Sequence, residues 1–227
     1  MQTKHKLNVR KMALLAVFAA IAFAVTLVFR INVGFLTFDA KDSIVCIAAM
    51  IFDPLSGVVI SMLIATIEQL AVGDTGFWGW LMNFASTATF SFVAGAIYHK
   101  RRTIVGVVFA LVSSVIATVA VMILCNLLIT PIYMKVDVGQ VIALIPTMLL
   151  PFNLTKAILN AGLVLALYKP LINALRGAKL LPASKSASQQ KPFWSVRTLI
   201  VLLIAIVLIL ASVVYMVFGL NGQIDLT

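Results

Sequence analysis

Carboxylates and histidines are scarce in this chain: seven acidic residues and two histidines among 227. His5 and His99 both sit in basic stretches, and there is no His-Glu-x-x-His pair. No two aspartates are expected in one membrane plane, and no glycine-rich loop is spaced to cradle phosphate. These absences speak against an enzyme, and no catalytic residue, metal ligand or intrinsic cofactor site is assigned. A nucleotide motor would have to reside on another chain. The two cysteines, Cys46 and Cys125, lie inside apolar runs. They read as packing thiols and not as a disulfide or metal pair. Charge of either sign is limited to 11% of residues, against 63% hydrophobic, which no soluble domain of this size matches.

What is present is a series of apolar runs near 20 residues, the mark of a polytopic membrane protein. The run from Met12 to Phe29 follows Lys4, Lys6, Arg10 and Lys11. It is longer than a signal-peptide core and has no convincing cleavage site. Helices are expected near 12–29, 40–52, 55–72, 77–98, 104–129, 151–175 and 194–218. With the N-terminus inside, thirteen lysines and arginines fall in cytoplasmic segments and three (Arg30, Lys41, Lys135) in external ones, a clear positive-inside bias. The net charge of +10 thus belongs at lipid headgroups of the cell membrane, not on nucleic acid. The chain divides into a basic cytoplasmic N-terminus (1–11), a six-helix membrane domain (12–175), a polar cytoplasmic linker (176–193), an additional transmembrane helix (194–218) and an external tail (219–227).

Three segments invite closer reading. Ala16, Ala20 and Ala24 form a smooth stripe on the first helix, suited to close approach by a helix of this protein or of another. The second helix, capped by Asp39 and ended by Asp53-Pro54, rises only about 20 Å against a hydrocarbon core of about 30 Å. Either the loop before it dips into the protein as a lid, or the helix is longer and tilted. Thr130-Pro131 opens a long connection to Pro151 whose apolar second half is either a short re-entrant helix or an extension of the sixth helix. Trp78 and Trp80 read as interfacial anchors.

Glu68, Asn83, Asn126, Asn153 and Lys156 come from four segments yet fall at one depth, in the outer third of the bilayer. Buried polar groups in lipid are costly and tend to mark substrate paths, so one pocket open to the outside is expected. Asn153 and Lys156, three apart, share a helix face, continued by Asn160. Their donors and acceptors suit a planar heterocycle with carbonyls and ring nitrogens. Glu68 is placed to neutralise Lys156. The competing reading is interhelical hydrogen bonding that staples the bundle.

The chain resembles the riboflavin-specific S component of an energy-coupling factor (ECF) transporter over about residues 10–175. The resemblance rests on the alanine-rich first helix, Phe38-Asp39-Ala40-Lys41-Asp42, Ile51-Phe52-Asp53-Pro54-Leu55-Ser56-Gly57 and Met82-Asn83-Phe84-Ala85-Ser86-Thr87-Ala88. It continues through Ile97-Tyr98-His99-Lys100-Arg101, Asn126 ahead of Pro131-Ile132-Tyr133, and Pro151-Phe152-Asn153-Leu154-Thr155-Lys156. It implies an all-α, six-helix S-component bundle, here with a C-terminal seventh helix. Such a subunit captures riboflavin, or its phosphorylated form FMN, outside the cell. It works with a membrane coupling subunit and two cytoplasmic ABC ATPase subunits. It also implies that Asn126, Asn153 and Lys156 bond the isoalloxazine ring, with Asn83 and Glu68 in the same site, and that Leu36, Phe38 and Asp39 belong to a loop closing over it. Phe35, Leu36 and Phe38 would sandwich the ring, and Ala16, Ala20 and Ala24 would dock the coupling subunit. Family members are thought to topple in the membrane. Asp53 stands where glycine is more usual. The alternatives are an S component for another vitamin or flavin, or a self-contained carrier, whose expected internal repeat is not detected.

Overall fold

The computed structural model describes residues 9–71, 73, 76–178 and 196–225. Lys4 and Lys6, the turn residues Asp74 and Thr75, and most of the linker lie outside the described residues. The chain order is α1 (Val9–Val28), β1 (Arg30–Val33), β2 (Leu36–Asp39), α2 (Lys41–Ile51), α3 (Pro54–Ala71), α4 (Gly76–Lys100) and α5 (Ile104–Met134). Then come α6 (Val138–Leu144), a π-helical turn (Ile145–Leu149), α7 (Leu150–Gly177), α8 (Val196–Val214), a second π turn (Tyr215–Gly219) and β3 (Gln223–Asp225). Among the described residues, six helical segments are long and apolar enough to cross a membrane: α1, α3, α4, α5, the α6–α7 rod and α8.

α2 is the exception and the centre. Every residue from Lys41 to Met50 is buried, with α1, α3, α4 and α7 packed around it. Its apolar residues run all round the helix, as expected of a helix enclosed on every side. Ile44, Val45, Ile47 and Met50 form the core with Phe18, Ala22, Ile60, Ile64, Phe90 and Ala161.

The loop before α2 is a β-hairpin, Val33 pairing with Leu36 and Arg30 with Asp39. Its two-residue turn has positive φ at Gly34 alone, +57°, the sign pattern of a II′ turn. Pairing satisfies the backbone groups that depth in a membrane would otherwise leave bare. Asp39 is not the α2 N-cap, because its carboxylate is held by two lysines. The free amide of Ser43 instead donates 2.8 Å to Oδ1 of Asn160 on α7.

The 130–151 connection is much shorter than expected. α5 continues through Pro131 to Met134 and closes on Lys135 in a left-handed conformation (φ 54°). Asp137 then caps α6. Pro146 and Pro151 each lack the amide that an α-helix needs. The π turn, which holds Pro146 and ends just before Leu150-Pro151, lets the rod continue into α7, in line with the reading of an extended sixth helix.

At the opposite end, Asp53 caps α3 by accepting from the Ser56 amide (2.8 Å) and hydroxyl (2.9 Å) and pairs with Lys11 of α1. This gives the departure from glycine a structural role. Partial burial acts to raise the Asp53 pKa, but hydrogen bonds from Lys11 and Ser56 outweigh it and hold the carboxyl below its usual value.

Candidate functional site

Five charged side chains meet between the hairpin and helices α2, α3 and α7. Asp39 Oδ2 accepts from Lys41 Nζ at 3.0 Å and from Lys156 Nζ at 2.9 Å. Lys41 reaches on to Glu68 Oε2 at 2.9 Å, and Asn83 donates to the same Glu68 oxygen. Lys156 also donates to the Thr37 carbonyl at 3.2 Å. Asp42, behind Lys41, accepts from Thr87 Oγ1 at 2.6 Å. All five charged groups named in the pairs and Asp42's bond are buried. They survive burial because opposite charges and hydrogen bonds meet each of them.

This corrects three expectations. Glu68 neutralises Lys41, not Lys156, whose partner is Asp39. Lys41, counted among external basic residues, is 2% exposed. Acidic residues do converge on one site, since Asp39 pairs with both lysines, Glu68 with Lys41, and Asp42 lies beside them on the first turn of α2.

The cluster floors a cavity of about 150 Å³. Its polar lining includes Asp39, Lys41, Glu68, Asn83, Asn153 and Lys156, and its aromatic lining Phe35, Trp78, Trp80, Tyr133 and Phe152. Leu36 and Thr37 of the hairpin also face it. Two buried acceptors, Asp39 Oδ1 and Glu68 Oε1, have no hydrogen-bond partner among the described residues. Buried acceptors without a donor are uncommon; here both belong to residues that line the cavity.

Of the residues singled out from the sequence, Glu68, Asn83, Asn153, Lys156, Leu36 and Asp39 are brought to this one cavity. Asn126 and Phe38 are not. The Asn126 amide is turned onto its own helix, donating to the Met122 carbonyl at 2.7 Å and accepting from Thr130 at 3.1 Å. Met122 and Thr130 themselves line the cavity, so Asn126 reaches it only by releasing those bonds. Phe38 is fully buried beneath the hairpin against Phe29 and Phe152. Asn160 is structural, since its Nδ2 donates to the Asp39 and Lys156 carbonyls at 3.1 and 3.0 Å while Oδ1 holds α2. Trp78 and Trp80, read as interfacial anchors, both line the cavity, and Trp80 is stacked between Phe77 and Phe84.

Ala16, Ala20 and Ala24 lie together on the exposed side of α1, while Leu14, Phe18 and Ala22 face the core. None of this chain's described helices covers the stripe.

The family model for the substrate-specific component of ECF transporters matches residues 10–168. The chain belongs to that family. Every residue lining the cavity falls within the matched span, and the linker, α8 and β3 lie beyond it. The riboflavin transporter RibU of Staphylococcus aureus (strain TCH60) is 26% identical over 190 residues, covering 78% of this chain and 99% of that protein. A solved chain from work on the structure and mechanism of the S component of a bacterial ECF transporter superposes with a TM-score of 0.63 at 24% identity, covering 74% of this chain and 98% of that one. This S component therefore has the fold that the resemblance implied, as a multi-pass membrane protein with one helix more than the matched region.

Proposed function

We propose that this S component captures riboflavin at the outer face of the cell membrane for ATP-driven uptake, with FMN as the second ligand to test. The observation that carries this reading is the composition of the cavity, where aromatic side chains face a floor of amides and paired charges. A flat heterocycle with a polar edge would stack on the former and be read by Asn83, Asn153 and Lys156. Donors on the ligand, an imide N–H or ribityl hydroxyls, would satisfy the open oxygens of Asp39 and Glu68. The similarity to a riboflavin transporter along that protein's whole length supports the same choice. The cavity is smaller than the roughly 300–1000 Å³ common for small-molecule sites, so a three-ring ligand requires the hairpin to move outward as it enters.

The partners in this reading are a membrane coupling subunit, docked on Ala16, Ala20 and Ala24, and two cytoplasmic ABC ATPase subunits. The N-terminus is cytoplasmic and the C-terminus external in this reading, which the positive-inside bias of the basic residues supports. The test is a competition panel on the purified chain: riboflavin, FMN and unrelated vitamins against a bound fluorescent flavin. Displacement by riboflavin at the lowest concentration supports the proposal. Displacement by a different vitamin, with riboflavin inert, overturns it.

A further inference from the structure

The segment after α8 folds back onto the hairpin. Past the second π turn the chain reverses, with the Leu220 amide donating to the Tyr215 carbonyl at 3.1 Å and the Gly222 amide to the Met216 carbonyl at 3.0 Å. Asn221 takes up the reversal at φ 52°. Gln223–Asp225 then lies antiparallel to β1, pairing Asn32 with Gln223, Ile31 with Ile224 and Arg30 with Asp225. The hairpin so becomes a three-stranded sheet in the order β2-β1-β3. Only glycine fits at 222. A Cβ there would fall 2.7 Å from Ile31 Cγ2 and 2.8 Å from the Met216 carbonyl. Beneath the sheet one apolar cluster joins Ile31, Val33 and Phe38 to Phe152 and Leu159 of α7 and to Met216.

We propose that β3 is a strap that holds the hairpin closed over the cavity. The hairpin lines the cavity through Phe35, Leu36, Thr37 and Asp39, and through Arg30 of β1; β1 is the strand whose other edge β3 pairs. Two four-residue strands are marginal by themselves. An uncovered β1 would also present a row of bare N–H and C=O groups. β3 pairs that edge and fastens it to α8, which packs on α7 at Gly162, where Ala205, Leu208 and Ile209 approach. The hairpin cannot swing outward without breaking the β1–β3 ladder or dragging α8 with it. Ligand exchange is then set by how often the strap opens, a local opening well below global unfolding. The strap lies beyond residue 168, outside the span that matches the family.

The consequence for exchange rests on the cavity being the flavin site, so the first readout uses no ligand. Hydrogen–deuterium exchange is compared between the full chain and a chain ending at Leu220. The strap predicts at least tenfold faster exchange of the 30–33 amides in the shortened chain, with α5 amides unchanged. Riboflavin release should quicken at least tenfold in parallel. A second form, Asn32→Cys with Gln223→Cys, serves even where the shortened chain fails to fold. Its oxidised state should release riboflavin at least tenfold more slowly than its reduced state and protect the 30–33 amides further. Unchanged amide exchange on shortening, or equal exchange in the oxidised and reduced pair, overturns the strap. If riboflavin does not bind, the amide data still decide it, and the failure falls on the ligand assignment alone.

Discussion

Lys41 and Lys156 share one carboxylate, and each needs it. Lys41 also holds Glu68, so replacing it leaves Glu68 buried without a cation and Asp39 with Lys156 alone. Breaking a buried pair by removing one partner typically costs about 3–5 kcal/mol. Lys41→Met should therefore destabilise the protein by about that amount in denaturant unfolding, whereas exposed Lys100→Met should stay within about 0.5 kcal/mol. Lys156→Ala and Asn153→Ala should each weaken riboflavin binding at least tenfold, about 1.4 kcal/mol, in a fluorescence titration. Unchanged affinity in both would remove these residues from the recognition face. Lys156, Asn153, Asn83 and Glu68 were legible because polar residues in long apolar runs stand out and a topology assigns their depth. Lys41 and Asp42 were not, since adjacency to a loop made them look exposed. The available signal was the helix behind them: Ile44–Ile51 is apolar all round, which marks α2 as central and its first turn as buried. Asn126 is the converse case, at the same expected depth but not among the residues lining the cavity. Depth alone does not say whether an amide faces the cavity or its own backbone.

Among the elements, α1 carries the clearest expectation. Its alanine stripe is exposed on the side away from Leu14, Phe18 and Ala22, which face the core, so the spacing left open two occupants and the packing removes one of them, this chain's own described helices. Bulky residues at Ala16 and Ala20 should abolish uptake by the assembled transporter while leaving riboflavin affinity within twofold. Uptake that survives, measured in vesicles, would place the coupling surface elsewhere. The long helices were readable from hydropathy, and the shortness of α2 from Asp53-Pro54. The hairpin was not, because strands of four residues carry too little alternation to distinguish from a loop. α5 runs past Pro131, further than its sequence suggests. A proline near the last turn removes only one backbone bond, and Lys135 ends the helix instead.

At the scale of the molecule, the six-helix bundle and the extra helix were evident in the sequence; the family match over residues 10–168 agrees with the first, and α8 of the structure with the second. What the extra helix does was not evident, because β3 pairs with residues about 190 positions earlier and three residues give no periodic signal. Most of the described surface of α8 is exposed. Yet it packs on α7 and its tail completes the sheet beside the cavity. Any reorientation of the bundle that keeps the sheet intact must carry α8 with it. One chain, without partners, is expected to form the flavin pocket. The most direct measurement is the visible absorption spectrum of the chain purified in detergent from riboflavin-containing cells. A bound flavin band, released on denaturation and identified as riboflavin, is the expected result. A colourless protein that also fails to quench added riboflavin fluorescence would contradict it.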